Sequence, residues 1–319
     1  MLNNLLNDYN VIIKENNNNP ISAHILNKYP IYIINLKSDI IRRNYIKHLF
    51  ERNRINYKLI LVNKFTYKKN TPKCNIDTPR LGCILSHLWC INNAITNNFQ
   101  HFIIFEDDII FHKNFSNIFS NIINDINFKN IDLLMLGALD CHYKTNISTL
   151  KNNVYYPKQN ILGAHSNLYS LNFAKDFLNY KLNSSKILEF DIEYYHFFSK
   201  FTIAVCEPNI VICELSSTNL NHKLSPFSES GFKRYISLFP ATFSYNNYEY
   251  ITINFIDYIN RHYKNHNYTN FENMIELFSD DIKHKNNAHI NDIKEWLLNG
   301  GYTVDIIMQI ISNIYVDKL

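Results

Sequence analysis

Glycine and proline are scarce in this 319-residue chain, at 6 and 8 residues. No Gly-rich phosphate loop of the Walker or Rossmann pattern is present, which removes the usual sequence basis for a kinase, an ATPase or a dehydrogenase. The six cysteines (Cys74, Cys83, Cys90, Cys141, Cys206 and Cys213) include no C-x-x-C pair. That argues against a zinc site or a dense disulfide framework and fits a reduced setting. No run of 18 apolar residues occurs, and no basic stretch followed by an apolar core opens the chain. Neither a membrane span nor a signal peptide is therefore expected, and the expected location is cytoplasmic, at most peripheral to a membrane. Lys and Arg are scattered and the formal charge is a mild +4, so a nucleic-acid surface is not indicated.

What is present is a globular composition, 46% hydrophobic and 19% charged, in a chain long enough for one large domain or two ordinary ones. Asn, Ile, Lys, Tyr and Phe crowd it in the manner of AT-rich coding, so Asn runs and chance sequons at Asn114 and Asn146 carry little functional weight. The strongest local signal is residues 101–110, HFIIFEDDII. The apolar run reads as a buried strand, and it ends in Glu106, Asp107 and Asp108. Three adjacent carboxylates repel one another unless a cation sits among them. In open α/β sheets, ligands bind beyond the carboxyl ends of strands. The triplet is thus either a metal site holding an anionic ligand or a solvated acidic turn.

Around it, residues 31–36, 57–62, 131–136 and 164–171 read as strands. Residues 39–52, 81–96, 115–126 and 172–180 read as helices, with a loop over 64–79. Residues 202–206 and 209–213 form an extended pair around Pro208. Strand–helix alternation through about residue 140 predicts an α/β sheet, largely parallel in this half. Residues 1–28 read as an amino-terminal extension of weak helical pattern. Residues 251–263, 271–284, 290–298 and 304–315 read as amphipathic helices, a helical carboxyl-terminal region over 227–319 that could make a homodimer.

Six blocks in order are IYIINLKSDIIRRNYI, RLGCILSHLW, HFIIFEDDII, DLLMLGA, GAHSNLYSLNFAKDF and EFDIEYYHFF. Together they resemble glycosyltransferase family 25, which includes bacterial lipooligosaccharide galactosyltransferases and collagen hydroxylysine galactosyltransferases. The resemblance implies a GT-A-like nucleotide-sugar-binding sheet with flanking helices over residues 29–226. It also implies a D-x-D-type metal site for Mn²⁺ or Mg²⁺, and a UDP-sugar donor. On that reading Asp108 is the first metal ligand, Glu106 orients it or contacts the donor ribose, and Asp107 is the third member. His222 is a further ligand or else a structural or solvated histidine. Asn35, Leu36 and Arg42 belong to the opening strand, loop and helix that contact the donor, although Arg42 and Arg43 also suit a solvated helical face. The family's acidic residue before that arginine is Ile41 here.

The block Gly82-Cys83-Ile84-Leu85-Ser86-His87 matches the family's G-C-x-x-S-H run. Gly82 at a helix start would allow close approach, and Ser86 and His87 could bind the donor. Arg80 stands where relatives often have Glu, either touching a ligand or exposed. Cys83 and Cys90 read as core packing. An inverting transfer needs a base outside the triplet, and Asp191 resembles the family's late aspartate, with Glu193 second. Asp191 equally suits a helix N-cap. Gly163, Ala164 and Tyr169 shape the sugar pocket on this reading.

The implied activity is metal-dependent inverting transfer of a hexose, galactose or glucose, from a UDP-sugar. The acceptor hydroxyl lies on a glycan, a lipid-linked saccharide or hydroxylysine. The rivals are an inactive scaffold that binds a nucleotide sugar or glycan, and a different metal-dependent nucleotide enzyme.

Overall fold

The computed structural model describes residues 2–16, 24–67, 76–138, 140–141, 153–157 and 161–213. All of them fall in the first of two compact units into which the chain divides. His222 and the helices expected over 227–319, with any dimer they form, lie outside the described residues.

Helix α1 (Leu2–Asn7) and strand β1 (Val11–Asn16) open the chain, and a short 3-10 turn (Ile25–Lys28) leads into β2 (Ile31–Leu36). Then come α2 (Ile40–Arg52), β3 (Tyr57–Val62), α3 (Thr78–Thr96), β4 (His101–Glu106) and β5 (Ile109–Phe111). Helix α4 (Phe115–Asn124) precedes β6 (Leu133–Met135), and three two-residue strands follow: β7 (Asp140–Cys141), β8 (Val154–Tyr155) and β9 (Ile161–Leu162). Strand β10 (Ser166–Ser170) runs directly into α5 (Leu171–Asn183), and a 3-10 turn (Ile192–Phe197) leads to β11 (Ile203–Cys206) and β12 (Val211–Cys213).

Eight of these strands form one mixed sheet in the order β1-β3-β2-β4-β10-β6-β11-β8. Strands β3, β2 and β4 are parallel, as the alternation predicts. Strand β10 then runs antiparallel to both β4 and β6, so the sheet changes character at the edge of β4. The acidic triplet sits at that seam. Phe102, Ile103, Ile104 and Phe105 are fully buried in β4, which is why its apolar run is unbroken. Burial of each such side chain contributes about 1.5–3 kcal/mol. The run ends where the chain turns through Asp107 and Asp108 into β5.

Three expectations need correction. The amino-terminal segment is not a mere extension, because β1 pairs antiparallel along β3 and adds an edge to the main sheet. Its sequence, VIIKEN, has only half-buried or exposed positions, so it lacks the buried-strand signal. Residues 202–213 do give two strands, but these do not pair with each other. Strand β11 lies parallel to β6, whereas β12 pairs with β5 in a separate two-stranded sheet. Helix α3 starts a turn earlier than its hydrophobic spacing implies. Asp77 caps it by accepting from the Arg80 N–H at 2.9 Å, and Pro79 occupies the first turn, where its missing N–H costs nothing.

Two positions require glycine, one for close approach and one for its backbone conformation. A Cβ on Gly137 would come within 1.7 Å of the Val211 carbonyl oxygen. Gly163 has φ 139°, a conformation side-chain-bearing residues rarely adopt.

Candidate active site

Helix α2 begins with Asp39 accepting from the Arg42 N–H at 3.2 Å. This first turn holds Arg42 against the end of β4, where its Nη1 lies 2.9 Å from Asp107 Oδ1 and 3.0 Å from Asp108 Oδ2. Asn35, on β2, donates to Asp107 Oδ2 at 2.7 Å and to the Asp39 carbonyl at 3.2 Å. A cation does sit among the carboxylates, and it belongs to the protein. Arg42 and Asn35 are buried and turned onto the acidic residues. The solvated-face alternative for Arg42 is excluded, while Arg43 bonds the Lys37 carbonyl at an exposed position. Leu36 closes β2, and its carbonyl accepts from Asp39 at 2.8 Å.

The triplet is not uniform. Burial raises the Asp107 pKa above its ordinary value despite the opposing Arg42 and Asn35. Burial also pushes Glu106 upward, but the hydrogen bond and charge of His87, with His165 and Arg42, bring it below its ordinary value overall. Opposing forces act on Arg42 as well: burial disfavours its charge, and Asp108, Asp107 and Asp39 more than restore it.

Glu106 is the triplet's most open member, with 29% of its side chain exposed, and it faces α3 rather than α2. His87 Nε2 lies 3.0 Å from its Oε1, and the Cys83 thiol lies 3.9 Å from the same oxygen. Cys90 is core, as expected, but Cys83 is only half-buried and borders the acidic site. Gly82 lies inside the helix rather than at its start, since α3 begins at Thr78. A Cβ there would meet Phe65 Cβ at 3.2 Å. The Gly82 carbonyl accepts from Ser86 Oγ at 2.7 Å and from the Tyr9 hydroxyl at 3.1 Å. Ser86 also lies 2.8 Å from the Tyr9 hydroxyl and is buried, so its side chain is engaged with the amino-terminal segment. Arg80 is held by Asp77 at 3.2 Å and Glu189 at 3.1 Å.

Asp191 occupies the N-cap position of the 3-10 turn yet makes no side-chain cap hydrogen bond there. Its Oδ2 instead accepts from the Gly163 N–H at 2.6 Å. Burial raises the Asp191 pKa, the Gly163 and Asp191 N–H groups oppose this, and the charges of Glu189 and Glu106 add to it. The adjacent Phe190 packs on the His87 ring at 4.6 Å between centroids, which ties this turn to α3. Asp191 and Glu106 are thus brought into electrostatic range of each other and of Cys83.

Glu193 goes elsewhere. It is 1% exposed and ion-paired with Lys181, which also donates to the Leu188 carbonyl at 3.1 Å, so it lacks the access an acceptor base needs. Tyr169 is likewise not a pocket wall: it is fully buried, stacked on Phe102 and 2.9 Å from the Tyr194 hydroxyl. Three residues near the site were not read as site residues from the sequence. His165 is buried and held neutral, its pKa pushed down to about 4 by that burial. Tyr9 and Cys83 are the others. Only Cys83 had a legible signal, its four-residue spacing from His87 on one helical face.

These features define an α/β enzyme domain whose carboxylates gather where the parallel strands end. The family model described as "Glycosyltransferase family 25 (LPS biosynthesis protein)" matches residues 28–188, just over half of the chain, and the chain belongs to that family and is a glycosyltransferase. Among solved structures, a similar chain is a glycosyltransferase involved in the glycosylation of the major capsid of PBCV-1. It is 11% identical, with a TM-score of 0.37, covering 59% of this chain and 94% of that one. No curated protein matches. Among the described residues no helix is long and apolar enough to cross a membrane.

Proposed function

We propose that this glycosyltransferase moves a hexose, galactose or glucose, from a UDP-sugar to an acceptor hydroxyl with inversion. The acceptor would be a glycan, a lipid-linked saccharide or hydroxylysine. The observation that supports this reading is the approach of Asp191 to the acidic triplet from a distant part of the chain, with opposite pKa tendencies at Asp191 and Glu106. Groups whose environments push them apart in this way suit different roles in one reaction.

Three carboxylates face one guanidinium and one histidine, so the cluster has surplus negative charge and offers hard oxygen ligands, a set that fits Mn²⁺ or Mg²⁺. Asp108, with Glu106, would hold the ion, which when bound would offset charge on the departing diphosphate. Arg42 and Asn35 orient the two aspartates and leave Glu106, the open member, to meet the donor. Asp191 takes the proton from the acceptor hydroxyl as its oxygen bonds to the anomeric carbon and the bond to the diphosphate breaks. The Gly163 N–H fixes the direction of that carboxylate, and burial brings its pKa closer to neutrality, where a base is more effective.

The direct test is UDP release from a panel of UDP-sugars in the presence of Mn²⁺. Wild type should release UDP with one of them, and Asp108→Ala should lose metal-dependent nucleotide binding. No release by wild type, with nucleotide binding unchanged in Asp108→Ala, would overturn the reading in favour of a scaffold.

A further inference from the structure

We infer that Cys83, His87 and Glu106 form a binding site for a thiophilic divalent cation of the zinc class, one that shares Glu106 with the oxygen-ligand site proposed at Asp108 but differs from it in its other ligands. Helix α3 places Cys83 and His87 four residues apart on one face, and the end of β4 brings Glu106 against them. The three ligand atoms all lie within 4.8 Å of one another. Two of the separations are already short: His87 Nε2 to Glu106 Oε1 is 3.0 Å, and Cys83 Sγ to that oxygen is 3.9 Å. Around tetrahedral zinc, with metal–ligand bonds of about 2.0–2.3 Å, ligand atoms sit about 3.4–3.7 Å apart. Movements of about 1 Å therefore close the site, and two of its ligands are on a buried helix rather than on loops.

The ligand chemistry separates this cation from Mn²⁺ and Mg²⁺. A thiolate and an imidazole beside one carboxylate select zinc, whereas the harder ions prefer all-oxygen sets. Three protein ligands leave a fourth position for water or an exogenous ligand. Burial first, and then the fields of Glu106, Asp191 and Asp108, push the Cys83 thiol well above its ordinary pKa, so it keeps its proton until a cation displaces it. On binding, the thiol S–H gives its proton to solvent and a Zn–S bond replaces it, so one proton is released per ion at this ligand. Among the described residues, no other trio of His, Cys, Asp and Glu brings its ligand atoms this close. The absence of a C-x-x-C pair argued against zinc from sequence, but here the third ligand comes from a neighbouring strand. Zinc bound here engages Glu106 and so withholds it from the donor; that consequence alone rests on the function proposed above.

The test uses the full chain, stripped with a chelator and titrated with Zn²⁺ against a chromophoric competitor. Wild type should bind one Zn²⁺ tightly, with affinity at least tenfold weaker in Cys83→Ser and in His87→Gln and retained in Asp108→Asn. Co²⁺ in place of Zn²⁺ should give a thiolate-to-cobalt absorption band that Cys83→Ser removes. Zinc affinity unchanged in Cys83→Ser, or a cobalt band that persists in it, overturns the site. Should the variants fail to fold, wild type decides alone: Zn²⁺ should slow alkylation of Cys83, mapped on its peptide, and equal labelling with and without zinc overturns the inference. Neither readout involves sugar transfer, so a failure of the proposed reaction and a failure of the zinc site are told apart.

Discussion

Around Lys181 one ammonium meets one carboxylate, Glu193, and both side chains are 1% exposed. Around Arg42 one guanidinium meets two carboxylates, Asp107 and Asp108, with a third, Glu106, partly exposed and facing His87 beside them. Both clusters remove charge from water, which is costly unless partners compensate. The first is balanced, closed and packed against the Phe190 ring, as a structural pair can be. The second is unbalanced and lies at a strand end where the sheet changes direction. A surplus of buried like charge is what a binding site needs and a core does not, so on the function proposed above acidic residues that look alike in sequence have opposite uses.

The largest effect that would sharpen this contrast is expected at Asp191, which belongs to the unbalanced side. Asp191→Asn should lower transfer by about 10²–10⁴-fold with donor affinity kept, read from kcat against nucleotide binding. Loss of donor binding instead would move Asp191 out of the base role. The pH profile supplies an independent check. Because the folded pKa of Asp191 is raised above 3.8, the carboxylate form a base requires appears only at higher pH, so the acid limb of kcat/KM should lie above the ordinary aspartate range. The same sign governs stability: what Asp191 contributes is present below its unfolded pKa and is lost as pH rises through the folded one.

Next in size is the closed pair. Lys181→Met strands Glu193 and should cost about 3–5 kcal/mol in urea unfolding, whereas Lys181→Met with Glu193→Leu should recover most of that loss. An equal loss in the double variant would break the comparison, because it would place the cost in packing and not in charge. Arg42→Gln should cost a similar amount, about 3–5 kcal/mol, since it leaves the buried Asp107 and Asp108 carboxylates without their cation. Added Mn²⁺ should then raise the melting temperature more in this variant than in wild type, by replacing the lost positive charge. The smallest effect is expected at Tyr9→Phe, about 1 kcal/mol, from losing the hydroxyl contacts to Ser86 and Gly82.

Much of the fold was legible because local signals agreed with tertiary ones. The apolar run of β4, the helix α2 and the parallel direction of β2, β3 and β4 all follow from hydrophobic spacing and strand–helix alternation. Strand β1 was not legible, since an edge strand with exposed Ile12 and Ile13 lacks the buried pattern. Nor was the start of α3, which Asp77 and Pro79 set outside its hydrophobic stripe. At the site, the acidic triplet could be singled out from residue type and order, and Asp191 from its resemblance to the family's late aspartate. The engagement of Ser86 with Tyr9, of Glu193 with Lys181 and of Asn35 with Asp107 could not.

By itself, then, the amino-acid sequence determined that a buried strand ends in three carboxylates and that a late aspartate precedes a turn. Those are properties of neighbouring residues and their spacing. Only the tertiary structure decided which of these groups are occupied and which are open, because each partner is distant in the chain: Arg42 lies 65 positions from Asp107, and Gly163 lies 28 from Asp191. A carboxylate's charge and reach are set by the donors and cations packed around it, and packing is what a linear pattern does not specify.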